Sequence, residues 1–121
     1  MSNERLHAAF SGQTILGQYA DGRAFREQFA TDGSLDYVEK APPRHLRGHW
    51  SIIKQRFCTI YANSGTGGCY RVRQVSDNCF EFYFEWRTEA EVRQSTPRQP
   101  TWTARAWRST HISTCEERPM V

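Results

Sequence analysis

The sequence predicts an all-β domain: a single antiparallel meander of about seven or eight strands, closing into a barrel or half-barrel, with a short N-terminal helix. Three observations lead there. Phe80, Phe82, Phe84 and Trp86 alternate with Cys79, Glu81, Tyr83 and Glu85 at period two, which describes a strand with one aromatic face and one more polar face. Asp21-Gly22 and Asp32-Gly33 supply residues that tolerate positive φ, the requirement of tight hairpins. The length of 121 residues suits one domain with one core, since domains of about 100–150 residues are the commonest.

Taken in order, residues 3–10 form one or two helical turns with Leu6 and Phe10 on one face, and Ser11-Gly12 ends them. Strands follow at Thr14 to Tyr19, Arg23 to Phe29 and Ser34 to Val38, separated by the Asp-Gly turns. Glu39 to Arg47 contains Pro42-Pro43 and reads as an irregular connection. Leu46 to Ile53 and Arg56 to Ala62 are two strands or one long bent strand, and Asn63 to Gly68 is a glycine-rich loop. Cys69 to Val75 then turns at Ser76-Asp77-Asn78 into the aromatic strand. Residues 88–100, with Pro97 and Pro100, read as a long loop, Thr101 to Ser113 as the last strand, and residues 116–121 as a disordered tail.

The register of the last hairpin follows from charge. A loop that sets Val75 opposite Cys79 puts Tyr70 and Val72 on the face of Phe84 and Phe82, and Arg73 beside Glu81 outside. A strict two-residue loop would press Arg71 and Arg73 against the phenylalanines, and unpaired buried arginines cost several kcal/mol.

Composition bounds the function. Hydrophobic residues make up 38% of the chain and aromatics 13%, so the core rests on few but bulky side chains. The net charge of +3 comes from sixteen basic residues, of which only Lys40 and Lys54 are lysines, and acids are spread from Glu4 to Glu117. This falls short of a nucleic-acid footprint. No run reaches the roughly 20 apolar residues a spanning helix needs, so no membrane insertion is expected. With no apolar signal core near Met1, the chain as written reads as cytoplasmic; if Met1 heads a shortened form, it is periplasmic or secreted.

Four cysteines permit three pairings. In the register above Cys69 and Cys79 lie about six residues apart along the ladder, roughly 20 Å, too far to bridge. Cys58 and Cys69 could close the glycine-rich loop if the strands separate before Tyr61; a regular six-residue loop would leave them several rungs apart. The rules of redox compartment alone give four reduced, packed thiols. No Cys-x-x-Cys pair exists to hold zinc.

Phe10-Ser11-Gly12-Gln13-Thr14, Gly17-Gln18-Tyr19, Asp21-Gly22-Arg23, Phe25-Arg26-Glu27, Asp32-Gly33, Tyr37, Gly48-His49-Trp50, Cys58-Thr59-Ile60-Tyr61 and Cys69-Tyr70-Arg71-Val72 together resemble a family of small α-proteobacterial proteins of unknown function. Its members are mostly exported and rich in β-structure, and the resemblance covers about residues 8–86. It implies a bridge between Cys58 and Cys69. The chain departs from the family in lacking a signal peptide, in adding Cys79 and Cys115, and in its arginine- and tryptophan-containing C-terminal segment. The resemblance carries over no catalytic residues.

Among candidate chemical groups, Glu27 stands out because Arg23, Phe25, Glu27 and Phe29 share one parity, which turns a carboxylate inward between two aromatics. Such a group either finds donors, from Trp50, a tyrosine or an arginine, or has its pKa raised. With Trp50, Phe82 and Trp86 it forms the expected ligand-binding set. His45 and His49 have metal spacing only on a helix, and Pro42-Pro43 and Gly48 argue against one. Ser64 to Gly68 lacks the lysine and the following helix of a phosphate loop. Trp102, Arg105, Trp107 and Arg108 interleave aromatics with arginines, a pattern that serves polyanion binding or a packed closing strand.

The expected function is therefore binding without catalysis and without a cofactor, of a small apolar or amphipathic ligand or of a protein partner. The alternatives are nucleic-acid or polyanion binding through the C-terminal segment, and a small enzyme using Glu27 with His45 or His49.

Overall fold

The computed structural model describes residues 1–62, 67–85 and 102–115. The expected loop at 88–100, the tail at 116–121 and Trp86 lie outside them.

Ser2 caps helix α1 (Asn3–Phe10): its side chain accepts from the Arg5 N–H at 3.2 Å, and Glu4 sits in the first turn where the helix dipole favours an acid. Leu6, Ala9 and Phe10 share the buried face. Gly12, at φ +73°, then redirects the chain into the sheet, and its N–H bonds the Phe29 carbonyl at 2.8 Å.

Eight strands follow: β1 (Thr14–Tyr19), β2 (Ala24–Phe29), β3 (Ser34–Lys40), β4 (Pro43–Ile53), β5 (Arg56–Tyr61), β6 (Gly67–Ser76), β7 (Cys79–Phe84) and β8 (Ala104–Arg108). Each pairs antiparallel with the next, and β8 returns to pair with β1. The expected all-β meander is thus a closed barrel, with no free sheet edge among the described strands.

Two stretches are more regular than their sequence announces. Glu39 to Arg47, expected to be irregular, belongs to β3 and β4, joined by a two-residue turn at Ala41-Pro42 with Lys40 opposite Pro43. Pro43 opens its strand, where a proline is tolerated. Similarly, β4 and β5 are distinct strands, because Lys54 and Gln55 both take positive φ and so make a tight two-residue hairpin between Ile53 and Arg56. That turn lacks the usual Asn-Gly but is held from outside: Asn3 Oδ1 accepts from the Gln55 N–H at 2.7 Å.

The aromatic hairpin adopts the expected pairing along most of its length, with Tyr70 opposite Phe84, Val72 opposite Phe82 and Arg73 opposite Glu81. Near the turn it departs: a bulge between Gln74 and Ser76 sets Ser76, not Val75, opposite Cys79.

Inward-facing phenylalanines fill the half of the barrel next to α1. The Phe10 ring lies 5.0 Å from Phe80, 5.2 Å from Phe57 and 6.1 Å from Phe29, and Phe10 and Phe29 are wholly buried. Helix α1 is therefore a plug: it closes the end of the barrel where the β2–β3 and β4–β5 turns gather. The opposite rim carries the β1–β2 and β3–β4 turns.

All four cysteines are oxidised. Cys58 and Cys69 sit directly opposite each other in the β5–β6 ladder, Cα atoms 4.0 Å apart, and Cys79 joins Cys115 with Cα atoms 4.9 Å apart. The expectation of four free thiols is overturned. The first bridge forms because the register sets Ile60 opposite Gly67 and Thr59 opposite Gly68, which brings Cys58 opposite Cys69. The second ties the segment after β8 to the start of β7. Asn78 reinforces it: its buried side-chain amide donates to the carbonyls of Arg108, His111 and Ile112 and accepts from the Arg108 N–H.

Candidate functional site

Toward the rim the lining of the barrel changes from phenylalanine to tyrosine and carboxylate. Period two brings this about: Tyr19 follows Ile15 and Gly17 on the inner face of β1, Tyr37 and Glu39 follow Leu35 on β3, and Tyr61 follows Phe57 and Thr59 on β5. Gly17 is required here. A Cβ at that position would stand 2.3 Å from the Phe25 ring, which packs 4.8 Å from Tyr19 and 5.7 Å from Tyr37.

Glu27 is buried, as its parity with Phe25 and Phe29 predicts. Its donor is Tyr61, whose hydroxyl bonds Oε2 at 2.8 Å. Loss of water outweighs that bond and pushes the Glu27 carboxyl up from 4.5 to about 7. Burial likewise raises Tyr61, with the adjacent Glu27 charge and the shared hydrogen bond adding to the effect. The Thr59 hydroxyl lies close enough to Tyr61 to moderate that rise, yet its Oγ1 is buried without a hydrogen-bond partner.

A second carboxylate closes the rim. Tyr37 donates to Glu39 Oε1 at 2.5 Å, shares a 2.6 Å hydrogen bond with the Tyr19 hydroxyl, and Arg23 approaches Glu39 at 3.4 Å while also pairing with Asp21. Burial lifts Tyr37 above the ordinary phenol range, helped by the bond to Glu39, and lifts Tyr19 to about 12.

Between these groups and the phenylalanines lies a cavity of about 30 Å³, lined by Glu27, Thr59, Tyr61, Tyr70, Phe25 and Phe82 among others. It has room for one or two water-sized molecules and none for a lipid chain. A wider groove of about 610 Å³ lies among Gln55, Arg71, Arg73, Tyr83 and Glu85. Glu85 there pairs with Arg56 at 3.0 Å and with Arg71 at 3.6 Å.

The structure brings together Glu27 and Phe82 from the expected ligand-binding set. Trp50 is a correction: it belongs to the plugged half, where its indole stacks on Phe57 and its Nε1 donates to the Ala30 carbonyl at 2.8 Å. Sequence reasoning missed Thr59, Tyr19, Tyr37, Tyr61 and Glu39. Their common signal is an inward parity toward the ends of β1, β3 and β5 that point away from α1.

Glu27 does not converge with the histidines. His45 and His49 lie exposed on the outer face of β4, and His45 Nε2 is 2.6 Å from Asp36. Strand geometry sets residues four apart roughly 13 Å from each other, beyond shared ligation of one ion. Among the described residues no group of three or more His, Cys, Asp or Glu could hold a metal, and no helix is long and apolar enough to cross a membrane. In the C-terminal segment, Arg108 hydrogen-bonds Asn78 and Asp77 and lies 5.7 Å over the Phe80 ring, while Arg105 stacks 4.9 Å over Trp102. The closing strand packs through Ala104 and Ala106 and not through its aromatics, since Trp107 shares the outward parity of Arg105.

No protein family and no curated protein matches this chain.

Proposed function

We propose that this barrel is a non-enzymatic binding domain that takes a small amphipathic ligand at the tyrosine and carboxylate end of its interior. One observation carries the reading: the cavity beside Glu27 contains a buried hydroxyl, on Thr59, that no protein group satisfies. Leaving such a group unpaired costs about 1–3 kcal/mol, and a guest with a polar atom there recovers that cost. The aromatic walls supply apolar contact, and the volume favours a ligand of a few heavy atoms over a long apolar chain. Two disulfides fit a domain that works in an oxidising compartment, in keeping with the exported proteins its motifs resemble.

The test is an NMR screen of the oxidised protein against water-soluble probes of a few heavy atoms, with a long-chain fatty acid as comparison. Small probes are expected to shift the ring signals of Tyr61, Tyr70 and Phe82 saturably, and the fatty acid to leave them unmoved. If no small probe moves them, or only the fatty acid does, the reading is wrong.

A further inference from the structure

We propose that the guest at this site is a small cation of the ammonium type, held by the Glu27 carboxylate, the Thr59 hydroxyl and the surrounding aromatic side chains. This rests on the reading of the cavity as a ligand site and adds the chemical class of the ligand. The walls decide it. Six aromatic residues line the space, Tyr61, Tyr70, Tyr19, Phe25, Phe57 and Phe82, and ring faces carry negative potential that attracts cations. No Lys, Arg or His is among the described lining residues. At the rim the Arg23 guanidinium is engaged by Asp21 and Glu39.

Among the described residues, the titratable groups around Glu27 are of the acid type: Tyr19 on β1, Tyr37 and Glu39 on β3, Tyr61 on β5 and Tyr70 on β6. An anion would be repelled by Glu27 once that carboxyl is ionised. A purely apolar guest would give Thr59 Oγ1 no partner. An ammonium N–H suits both oxygens, since Tyr61 bonds Glu27 Oε2 and leaves Oε1 to accept from the guest, while Thr59 Oγ1 accepts a second N–H. The volume of about 30 Å³ matches ammonium or methylammonium.

Charge balance gives this proposal a pH signature. A buried cation needs the ionised carboxylate, so when Glu27 starts protonated the cation enters and one proton leaves to solvent. Below the Glu27 pKa of about 7, binding competes with that proton and weakens as pH falls; above it, binding is insensitive to pH until the amine itself deprotonates.

The experiment follows the Glu27 side-chain carboxyl resonance in the full oxidised chain during titration with methylammonium chloride. Sodium chloride at equal ionic strength, methanol and sodium acetate serve as parallel probes. Methylammonium is expected to shift the resonance saturably, about tenfold more tightly at about pH 8 than at about pH 6. Glu27→Gln should abolish this response. Should that variant fail to fold, Thr59→Val provides the second arm and is expected to weaken binding severalfold while leaving the amide spectrum of the barrel in place.

A saturable response to methanol without one to methylammonium overturns the cation and leaves the ligand site standing, and so does a preference for acetate. No response to any probe overturns both. Methylammonium binding of equal strength at the two pH values would also sink the proposal, because it would mean that the Glu27 proton is not displaced.

Discussion

The two ends of the barrel are built by the same eight strands and solve opposite problems. At the plugged end Phe10 enters from α1 and meets Phe29, Phe57 and Phe80, so the interior is filled by rings, and the Trp50 N–H there is satisfied by the Ala30 carbonyl. At the rim the same inward positions hold Tyr19, Tyr37, Glu39, Glu27, Tyr61 and Thr59, on strands whose inward parity also carries Ile15, Leu35, Phe29 and Phe57. The plugged end therefore holds the fold together. The rim spends some of that stability on keeping a carboxyl and a hydroxyl out of water, as binding sites do.

The sharpest way to break this contrast is to remove the plug. Phe10→Ala deletes the ring that touches Phe29, Phe57, Phe80 and Phe82, and such a truncation costs about 3–5 kcal/mol. Denaturant titration should show a lower midpoint, with the Glu27 and Tyr61 signals of the surviving native state little changed. Collapse of the rim signals alone, without loss of stability, would reverse the assignment of roles.

The disulfides come next. The Cys79–Cys115 bridge spans 36 residues and Cys58–Cys69 spans 11, so chain-entropy arguments give losses of about 4 and about 3 kcal/mol when each is replaced by paired alanines. Denaturant midpoints of the two double variants should fall in that order. Asn78, with its three carbonyl contacts, already holds the strap that the longer bridge secures, so equal losses would mean that these hydrogen bonds suffice.

At the rim the effect of pH is distinctive in sign. Glu27 titrates at about 7 when folded against 4.5 as its ordinary value, so between these limits the folded protein keeps a proton that the unfolded chain has released. Stability should fall as pH rises from about 4.5 to about 7 and level off above, with Glu27 contributing about 3 kcal/mol to the decline. Exposed Asp21 and Asp32, held below their usual pKa by backbone hydrogen bonds from Arg23 and Ser34, act with the opposite sign and at lower pH. Equilibrium unfolding across this range should show the decline in the parent and not in Glu27→Gln. A decline of equal size in both would place its origin elsewhere.

The smallest effect sharpens the account most finely. Thr59→Val exchanges an unsatisfied buried hydroxyl for a methyl group of similar size and should stabilise the empty barrel by about 1 kcal/mol. Destabilisation by that amount would show that the hydroxyl has a protein partner after all.

Much of the plugged end was legible in the sequence, because period-two aromatics and the Asp32-Gly33 turn are local signals and Leu6 and Phe10 mark the buried face of a helix. Glu27 was legible for the same reason, since its inward direction follows from Phe25 and Phe29. Its surroundings were not. Which strand ends meet inside a barrel depends on tilt and stagger, which no single strand encodes, so Tyr61 could not be assigned as its donor, nor Trp50 placed at the other end. The Lys54-Gln55 turn and the Cys79–Cys115 bridge were hidden because partners distant in the chain, Asn3 and the segment after β8, fix them.

The most direct measurement is the pH titration of the Glu27 carboxyl carbon by NMR in the oxidised, ligand-free protein. A midpoint near 7, raised by burial at the rim, is the result expected of a buried site holding a neutral acid beside Tyr61 and Thr59. A midpoint in the ordinary carboxylate range would mean that water or a cationic side chain already satisfies Glu27, and the distinction between a filled end and a binding end would fail.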